Sequence, residues 1–252
     1  MTLLSVNVNK IALLRNSRGT NYPDLLYFVR RIIGNGVKGI TVHPRPDERH
    51  ITRQDTRDIK ALLQDFPDVE FNIEGYPGDA FLALVEEVRP AQCTLVPDEP
   101  GQLTSDHGWQ VADHAPLLRD VLAQLKDWGV RSSLFLDPEP ALVADVKRVG
   151  ADRIELYTEH YARTFAQTRE SSSPALRAVL SHYQQTAEAA HALGIGVNAG
   201  HDLNLQNLPG FLASGLIEEV SIGHALVVES LEQGLDTVLA QYLAITGSAP
   251  NA

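Results

Sequence analysis

The feature that most constrains the fold is a regular alternation of short β-rich runs with longer stretches of helical period. The runs occupy residues 3–8, 39–43, 69–73, 92–96, 131–136, 153–156, 195–199 and 219–222, eight in all. Between them, apolar residues recur at i, i+3, i+4 and i+7, as in Leu25, Phe28, Val29 and Ile32 or Ile59, Leu62, Leu63 and Phe66. That spacing is the mark of a one-faced helix. Leu117, Leu118, Val121, Leu122 and Leu125 form a further stripe closed by Gly129, and Leu231, Leu235, Val238, Leu239 and Tyr242 predict the last helix. Thr52 with Asp55 three residues on reads as an N-cap with an acidic first turn. Gly34, Asn35 and Gly36, then Pro67, Pro90 and Gly194, supply the stops expected between a helix and the next strand.

Eight such units in 252 residues predict an α/β fold of the (β/α)8 TIM-barrel type, with extra helices. The competing open, doubly wound sheet expects a Gly-x-Gly-x-x-Gly turn after the first strand, and none is present. No linker, low-complexity tract or further repeat interrupts the pattern, so residues 1–252 read as a single domain. Two segments exceed what a bare barrel needs. Residues 97–110 form a long polar connection with the character of a lid. Residues 157–193 hold two helical stretches separated at Ser171, Ser172, Ser173 and Pro174; one is surplus, and surplus helices on barrels often build subunit contacts.

Composition narrows the setting. A hydrophobic fraction of 44% supports a full core. One cysteine excludes a disulfide framework or a Cys-rich metal module and fits a reducing cytoplasm. No apolar run approaches the ~20 residues that span a bilayer, and the start lacks the pattern of a signal peptide. The net charge of −11 argues against nucleic acid as a main partner. Yet residues 1–50 carry eight basic side chains against three acidic ones, a local +5. The bland reading is a solvated face; the sharper one is an anion site within an acidic protein.

Barrel enzymes place their chemistry at the C-terminal strand ends. Those positions hold Asn7, Asn9 and Lys10 after the first strand and His43, Arg45 and His50 after the second. Glu74 follows the third strand, Pro97 the fourth, Asp137 ends the fifth, and Glu155 lies near the end of the sixth. His201 follows the seventh, and Gly223 with His224 follows the eighth. Any one of these histidines alone reads more readily as structural. Their convergence with Glu74 and Glu155 offers acids and bases that burial can tune toward neutrality. The seventh and eighth strands both end in Gly-His, at Gly200-His201 and Gly223-His224. Glycine admits a ligand to the backbone, and the next helix start presents N–H groups to an anion. The Arg- and His-bearing turn at residues 43–50 reads as a second anion site, or as a solvated charged turn.

Two other chemistries compete. His43, His201, His224 and Glu74 are metal-ligand types, but no His-x-His or His-Glu-x-x-His pattern accompanies them. A Schiff-base amine would have to be Lys10, the one lysine at the catalytic end. Cys93, inside the fourth strand, reads as a buried inert thiol.

Several stretches together resemble the pyridoxine 5′-phosphate synthase family. They run Ser5-Val6-Asn7-Val8-Asn9-Lys10-Ile11-Ala12, Leu14-Arg15-Asn16-Ser17-Arg18-Gly19-Thr20 and Gly39-Ile40-Thr41-Val42-His43-Pro44-Arg45. Asp47-Glu48-Arg49-His50-Ile51-Thr52, Cys93-Thr94-Leu95-Val96-Pro97, Val197-Asn198-Ala199-Gly200-His201 and Ile222-Gly223-His224-Ala225 follow in the same order. The likeness runs from residue 3 to about residue 245.

The resemblance implies a (β/α)8 barrel with extra helices, assembled as dimers within an octamer. It implies condensation of 1-deoxy-D-xylulose 5-phosphate with 3-amino-2-oxopropyl phosphate to pyridoxine 5′-phosphate, phosphate and water, with no metal and no organic cofactor. By motif, His43 and Glu74 match the family's general bases, His201 its proton donor, and Glu155 a carboxylate that stabilises charged intermediates. Arg45, His50 and Thr104 match contacts to the deoxyxylulose phosphate, which makes residues 97–110 the lid. Asn7, Arg18, Gly223 and His224 match contacts to the amino-ketone phosphate, with Arg18 reaching into a neighbouring subunit.

The chain departs from the family at three substrate-side positions. Many members read Asp-His where this chain has Asn9 and Lys10, and Gly where it has Asp202. Lys10 keeps a donor as a fixed cation, Asn9 gives up a negative charge, and Asp202 brings a carboxylate to the phosphate corner while its N–H can still donate. Two readings of other classes stand beside the enzyme. One is a phosphosugar-binding barrel without activity, which should lack an acid or base that is present here. The other is a metal-dependent barrel hydrolase, which predicts inhibition by chelators.

Overall fold

Each strand alternates an apolar set of residues with a polar one, and the two sets face opposite sides of a closed sheet. The computed structural model describes residues 1–98, 105–168 and 173–247. Its strands are β1 (Leu3–Asn7), β2 (Gly39–Val42), β3 (Glu70–Gly75), β4 (Gln92–Leu95), β5 (Arg131–Leu136), β6 (Arg153–Tyr157), β7 (Gly196–Gly200) and β8 (Glu219–Ile222). All pair in parallel, in sequence order, and β8 closes on β1 with Val220 beside Leu4 and Ile222 beside Val6. The expected (β/α)8 barrel is what the chain forms.

Outward-facing residues such as Val6, Ile40, Ile73, Leu95, Leu134, Ile154, Val197 and Val220 are fully buried against the helices. The inward set is polar, where barrel interiors more commonly hold bulky branched side chains. Ser5 bonds Thr41 at 2.7 Å, Thr94 donates to Asn72 at 3.1 Å, and Gln92 on β4 reaches across the barrel to Glu219 on β8 at 3.3 Å. Asn198 joins Gln92 and Glu219, while Arg131 and Arg153 enter from the N-terminal side to Gln92 and Asn198. A buried polar interior holds only when its groups satisfy one another, and here a network satisfies most of them, the Ser133 hydroxyl being left without a partner among the described residues.

The helices are α1 (Asn9–Asn16), α2 (Leu25–Gly34), α3 (Arg53–Leu63), α4 (Asp79–Val88), α5 (Ala115–Asp127), α6 (Val143–Val149), α7 (Glu159–Thr168), α8 (Pro174–Ala192), α9 (Leu208–Leu212), α10 (His224–Gln233) and α11 (Leu235–Thr246). Thr52 and Asp55 form a reciprocal capping box at the start of α3, as their spacing predicts. The residues 157–193 divide into α7 and α8, with Ser173 capping α8 through the Leu176 N–H.

Two helical expectations need correction. No helix is expected directly after the first strand, yet Asn9 and Lys10 open α1, a helix that buries only Ile11 and Ala12 and leaves Leu13 and Leu14 exposed. With no apolar stripe, it leaves no periodic signal. The stripe from Leu231 to Tyr242 is divided between α10 and α11 by Gly234, whose φ of +84° breaks the helix. Leu231 is 78% exposed, whereas Val238, Leu239 and Tyr242 are buried.

The connection from β4 to α5 is the long segment read as a lid. Residues 99–104, and so Thr104, lie outside the described residues. The far end of the segment is fastened: Trp109 is buried, with its Nε1–H donating to the Leu95 carbonyl at 2.8 Å and its backbone N–H to Phe135. Gly108 presses so close that a Cβ there would lie 2.3 Å from the Asp137 nitrogen.

Candidate active site

A cavity of about 620 Å³ opens at the C-terminal mouth of the barrel. Its wall includes Asn7, Asn9, Lys10, His43, Arg45, His50, Glu74, Glu155, His201, Asp202, Gly223 and His224. Residues from β1, β2, β3, β6, β7 and β8 thus meet around one space, as the strand-end reading expects. Arg18 does not line it; that residue is exposed on the connection between α1 and α2.

Local structure explains each placement. Asn9 sits at the start of α1 and uses its Oδ1 to accept the His43 backbone N–H at 3.0 Å, while its own N–H goes to Asn7 Oδ1. That role needs an accepting oxygen, which Asn and Asp side chains share. Glu74 and Glu155 stand inside β3 and β6 and point into the barrel, both buried. Thr94 donates to Glu155 Oε2 at 3.4 Å. Gly223 brings β8 against β1, since a Cβ there would lie 3.1 Å from that of Asn7.

The electrostatics divide the site. Burial drives the Glu74 carboxyl well above the usual carboxylate range, helped by Glu155, Asp98 and Glu219 and opposed by Arg45. Burial and then Glu219 push Glu155 up to about 8. Like charges in one dry space ionise reluctantly, so protons stay on these carboxyls near neutral pH. After β2, the strand next to the one that carries Glu74, burial and then Arg45, His50 and Arg49 hold His43 well below the ordinary imidazole value. Burial, Arg45, Lys10 and Arg49 bring His50 down to about 4. Both rings are therefore neutral. His50 Nδ1 accepts the Ile51 N–H at 2.9 Å, which leaves the ring proton on Nε2 as a donor. Neutral acids and neutral bases thus line one cavity, with the cations Lys10, Arg45 and Arg49 beside them.

At the end of β7 the backbone is strained: His201 and Asp202 have φ of +90° and +58°. Thr158 clamps this corner by donating to the carbonyls of Gly200 and His201. His201 packs its ring on Tyr157, with centroids 4.9 Å apart, and its Nδ1 lies 3.0 Å from Asp202 Oδ2. Left-handed backbone is unfavourable for a residue with a Cβ, so the fold holds both residues in a costly conformation.

Sequence reasoning missed two buried acids. Asp98 comes three residues after β4 and pairs with Arg45; the same strand-end rule reaches it one residue past Pro97. Glu219 begins β8 at the opposite end of the barrel, and only the tertiary fold brings it under Glu155. Among the described residues, no three or more His, Cys, Asp or Glu side chains gather closely enough to hold a metal ion. Cys93 is free and buried, and its thiol is pushed up by burial.

Fold and cavity together define a (β/α)8 barrel enzyme with an acid–base site at its C-terminal mouth. The chain belongs to the family of the pyridoxal phosphate biosynthesis protein PdxJ, whose model matches residues 4–248. It is 47% identical over 246 residues to the pyridoxine 5′-phosphate synthase of Christiangramia forsetii, covering 97% of this chain and 99% of the relative. It is 49% identical to the protein of the same name from Allorhizobium ampelinum, covering 97% of each. In fold alone it is similar to a chain described as a structural study of Project ID from Aquifex aeolicus, with a TM-score of 0.62 and 14% identity, covering 99% of this chain and 94% of that one. The chain described as native KDPGal has a TM-score of 0.56 and 12% identity, covering 99% and 96%.

Proposed function

We propose that the protein condenses 1-deoxy-D-xylulose 5-phosphate with 3-amino-2-oxopropyl phosphate to give pyridoxine 5′-phosphate, phosphate and water. The observation that carries this reading is one cavity lined by buried Glu74 and Glu155, neutral His43 and His50, and the cations Lys10 and Arg45. The amine of one substrate attacks the ketone of the other, water and phosphate depart, and an aldol-type closure makes the ring. Every step moves a proton, and groups of intermediate pKa in a dry pocket are what such steps need.

In this reading Glu74 is a strong base once ionised, and the ammonium group of the entering substrate is the charge that ionises it. His43 is the second base, His201 the proton donor, and Glu155 the carboxyl that meets cationic intermediates. Arg45, His50 and Thr104 take the deoxyxylulose phosphate. Lys10 adds a fixed cation on the phosphosugar side, while Asn7, Gly223 and His224 take the other substrate, at the start of α10, and Arg18 completes that site from a neighbouring subunit. The exposed Leu13, Leu14 and Tyr22 flank Arg18 and suit a homo-oligomer. A free cysteine suits a reducing, cytoplasmic setting, and among the described residues no helix is long and apolar enough to cross a membrane. We read residues 1–252 as one barrel domain that needs no cofactor.

The test is to treat the purified protein with EDTA, supply both phosphates and assay pyridoxine 5′-phosphate. Product is expected at the untreated rate; folded protein that yields none sinks the reading. Glu74→Gln is expected to lower kcat by about 10²-fold or more while still binding both phosphates. Full turnover in that variant removes Glu74 from its role.

A further inference from the structure

Asp98 is a buried carboxylate that the condensation as described does not use. It stands just beyond β4, 5% exposed, and its Oδ2 accepts from Arg45 Nη2 and, at 2.9 Å, from Ser105 Oγ. Its Oδ1 is buried, with no hydrogen-bond partner among the described residues. A pair made only for stability would engage both oxygens, because an unmatched buried acceptor is a cost. Here the carboxylate is held from one side, by the guanidinium and the hydroxyl together.

Position gives that arrangement a use. Arg45 lines the catalytic cavity and also a second cavity of about 470 Å³, where Asp98, Tyr76 and Phe81 form part of the wall. The Arg45–Asp98 pair therefore stands on the partition between the two spaces. A guanidinium there can turn toward either, and only one orientation presents its planar fork to a phosphate in the catalytic cavity. Ser105 returns to the same carboxylate oxygen from seven residues along the chain, so the anchor also ties together the two described ends of the β4–α5 connection. Asp98 also faces Glu74, whose proton affinity its charge raises.

We propose that Asp98 is a positioning residue: it fixes the Arg45 guanidinium on the cavity wall where the phosphate of the deoxyxylulose substrate is bound. The inference rests on the reading of Arg45 as a contact to that phosphate.

The test compares wild type with Asp98→Asn and Ser105→Ala by steady-state kinetics with each substrate varied in turn. Binding of 1-deoxy-D-xylulose 5-phosphate alone is followed by calorimetry. In Asp98→Asn the KM and Kd for that substrate are expected to rise about tenfold or more, with the KM for the amino-ketone phosphate unchanged. The acid limb of the kcat–pH profile is expected to move to lower pH, because one negative charge facing Glu74 is gone. The titratable and charged groups facing Glu74 are Glu155 on β6, Glu219 on β8 and Arg45 after β2, together with Asp98 itself. Ser105→Ala, which removes one hydrogen bond and no charge, is expected to raise the same KM by a smaller factor without moving the pH limb. Variants that lose active protein while both KM values and the pH limb stay at wild type would show a merely structural pair and overturn the proposal. Should Asp98→Asn not fold, Ser105→Ala decides, and an unchanged KM overturns it. Wild-type protein that does not bind 1-deoxy-D-xylulose 5-phosphate at all is a distinct result, and removes the functional reading together with this one.

Discussion

At Gly200 the backbone of β7 passes so near to Glu155 that a Cβ would lie 2.4 Å from its Oε1, and the next neighbour beyond that carboxyl is an ordinary 3.6 Å away. The glycine thus sets the position of one acid rather than a backbone shape. Gly200→Ala is expected to push the Glu155 carboxyl aside, lowering kcat about 10- to 100-fold with stability reduced by about 1–3 kcal/mol. Turnover assays and thermal unfolding separate the two effects, and a wild-type kcat would show that Glu155 tolerates displacement. At this same scale the sequence was informative where strand ends carry chemistry: His43, Arg45, His50, Glu74 and His201 all line the cavity. Asp98 escaped because its meaning lies in its partner, Arg45, which is 53 residues away in sequence.

Helix α3 shows how one local motif is put to a second use. Asp55 closes the capping box with Thr52 and also accepts from both terminal guanidinium nitrogens of Arg15, at 2.5 and 2.8 Å, from the last turn of α1. This pair ties the helix that carries Asn9 and Lys10 to the one behind the His43–His50 turn. Thr52→Ala is expected to cost about 1 kcal/mol, the ordinary worth of a cap. Asp55→Ala should cost more, about 2–4 kcal/mol, because it also strands a largely buried arginine. Urea unfolding measures both, and equal costs would mean that the Arg15 link contributes nothing. The capping box is legible in sequence because its members are three residues apart; the Arg15 link, spanning 40 residues, is not. The break at Gly234 was hidden for another reason: the apolar residues of α10 and α11 continue one stripe across the glycine.

Over the whole molecule, buried acids and buried histidines pull pH stability in opposite directions. Glu155 and Glu219, raised from 4.5 to about 8 and about 7, bind more protons folded than unfolded, so their contribution is lost as pH rises through that range. His50, lowered from 6.5 to about 4, binds fewer protons folded, so its contribution is lost as pH falls from 6.5 toward 4. His43 acts in the same sense. Between 4.5 and 6.5 the two sets oppose each other; above 6.5 the carboxyls act alone. Tm is therefore expected to fall between about pH 6.5 and 8, and less steeply in Glu219→Gln. A Tm that rises across that interval would contradict the assignment of buried, protonated acids.

The sequence by itself determined the eight strands, most of the helices and the sites of the catalytic-end side chains. Periodicity, caps and strand ends are local properties, written within a few residues of one another. Only the tertiary structure decided that Glu74 and Glu155 hold protons while His43 and His50 do not. It also decided that Glu219 acts from beneath the site and that Asp98 grips Arg45. Desolvation and Coulomb interaction depend on distance in space, and closing β8 onto β1 is what brings residues from opposite ends of the chain into a single low-dielectric interior.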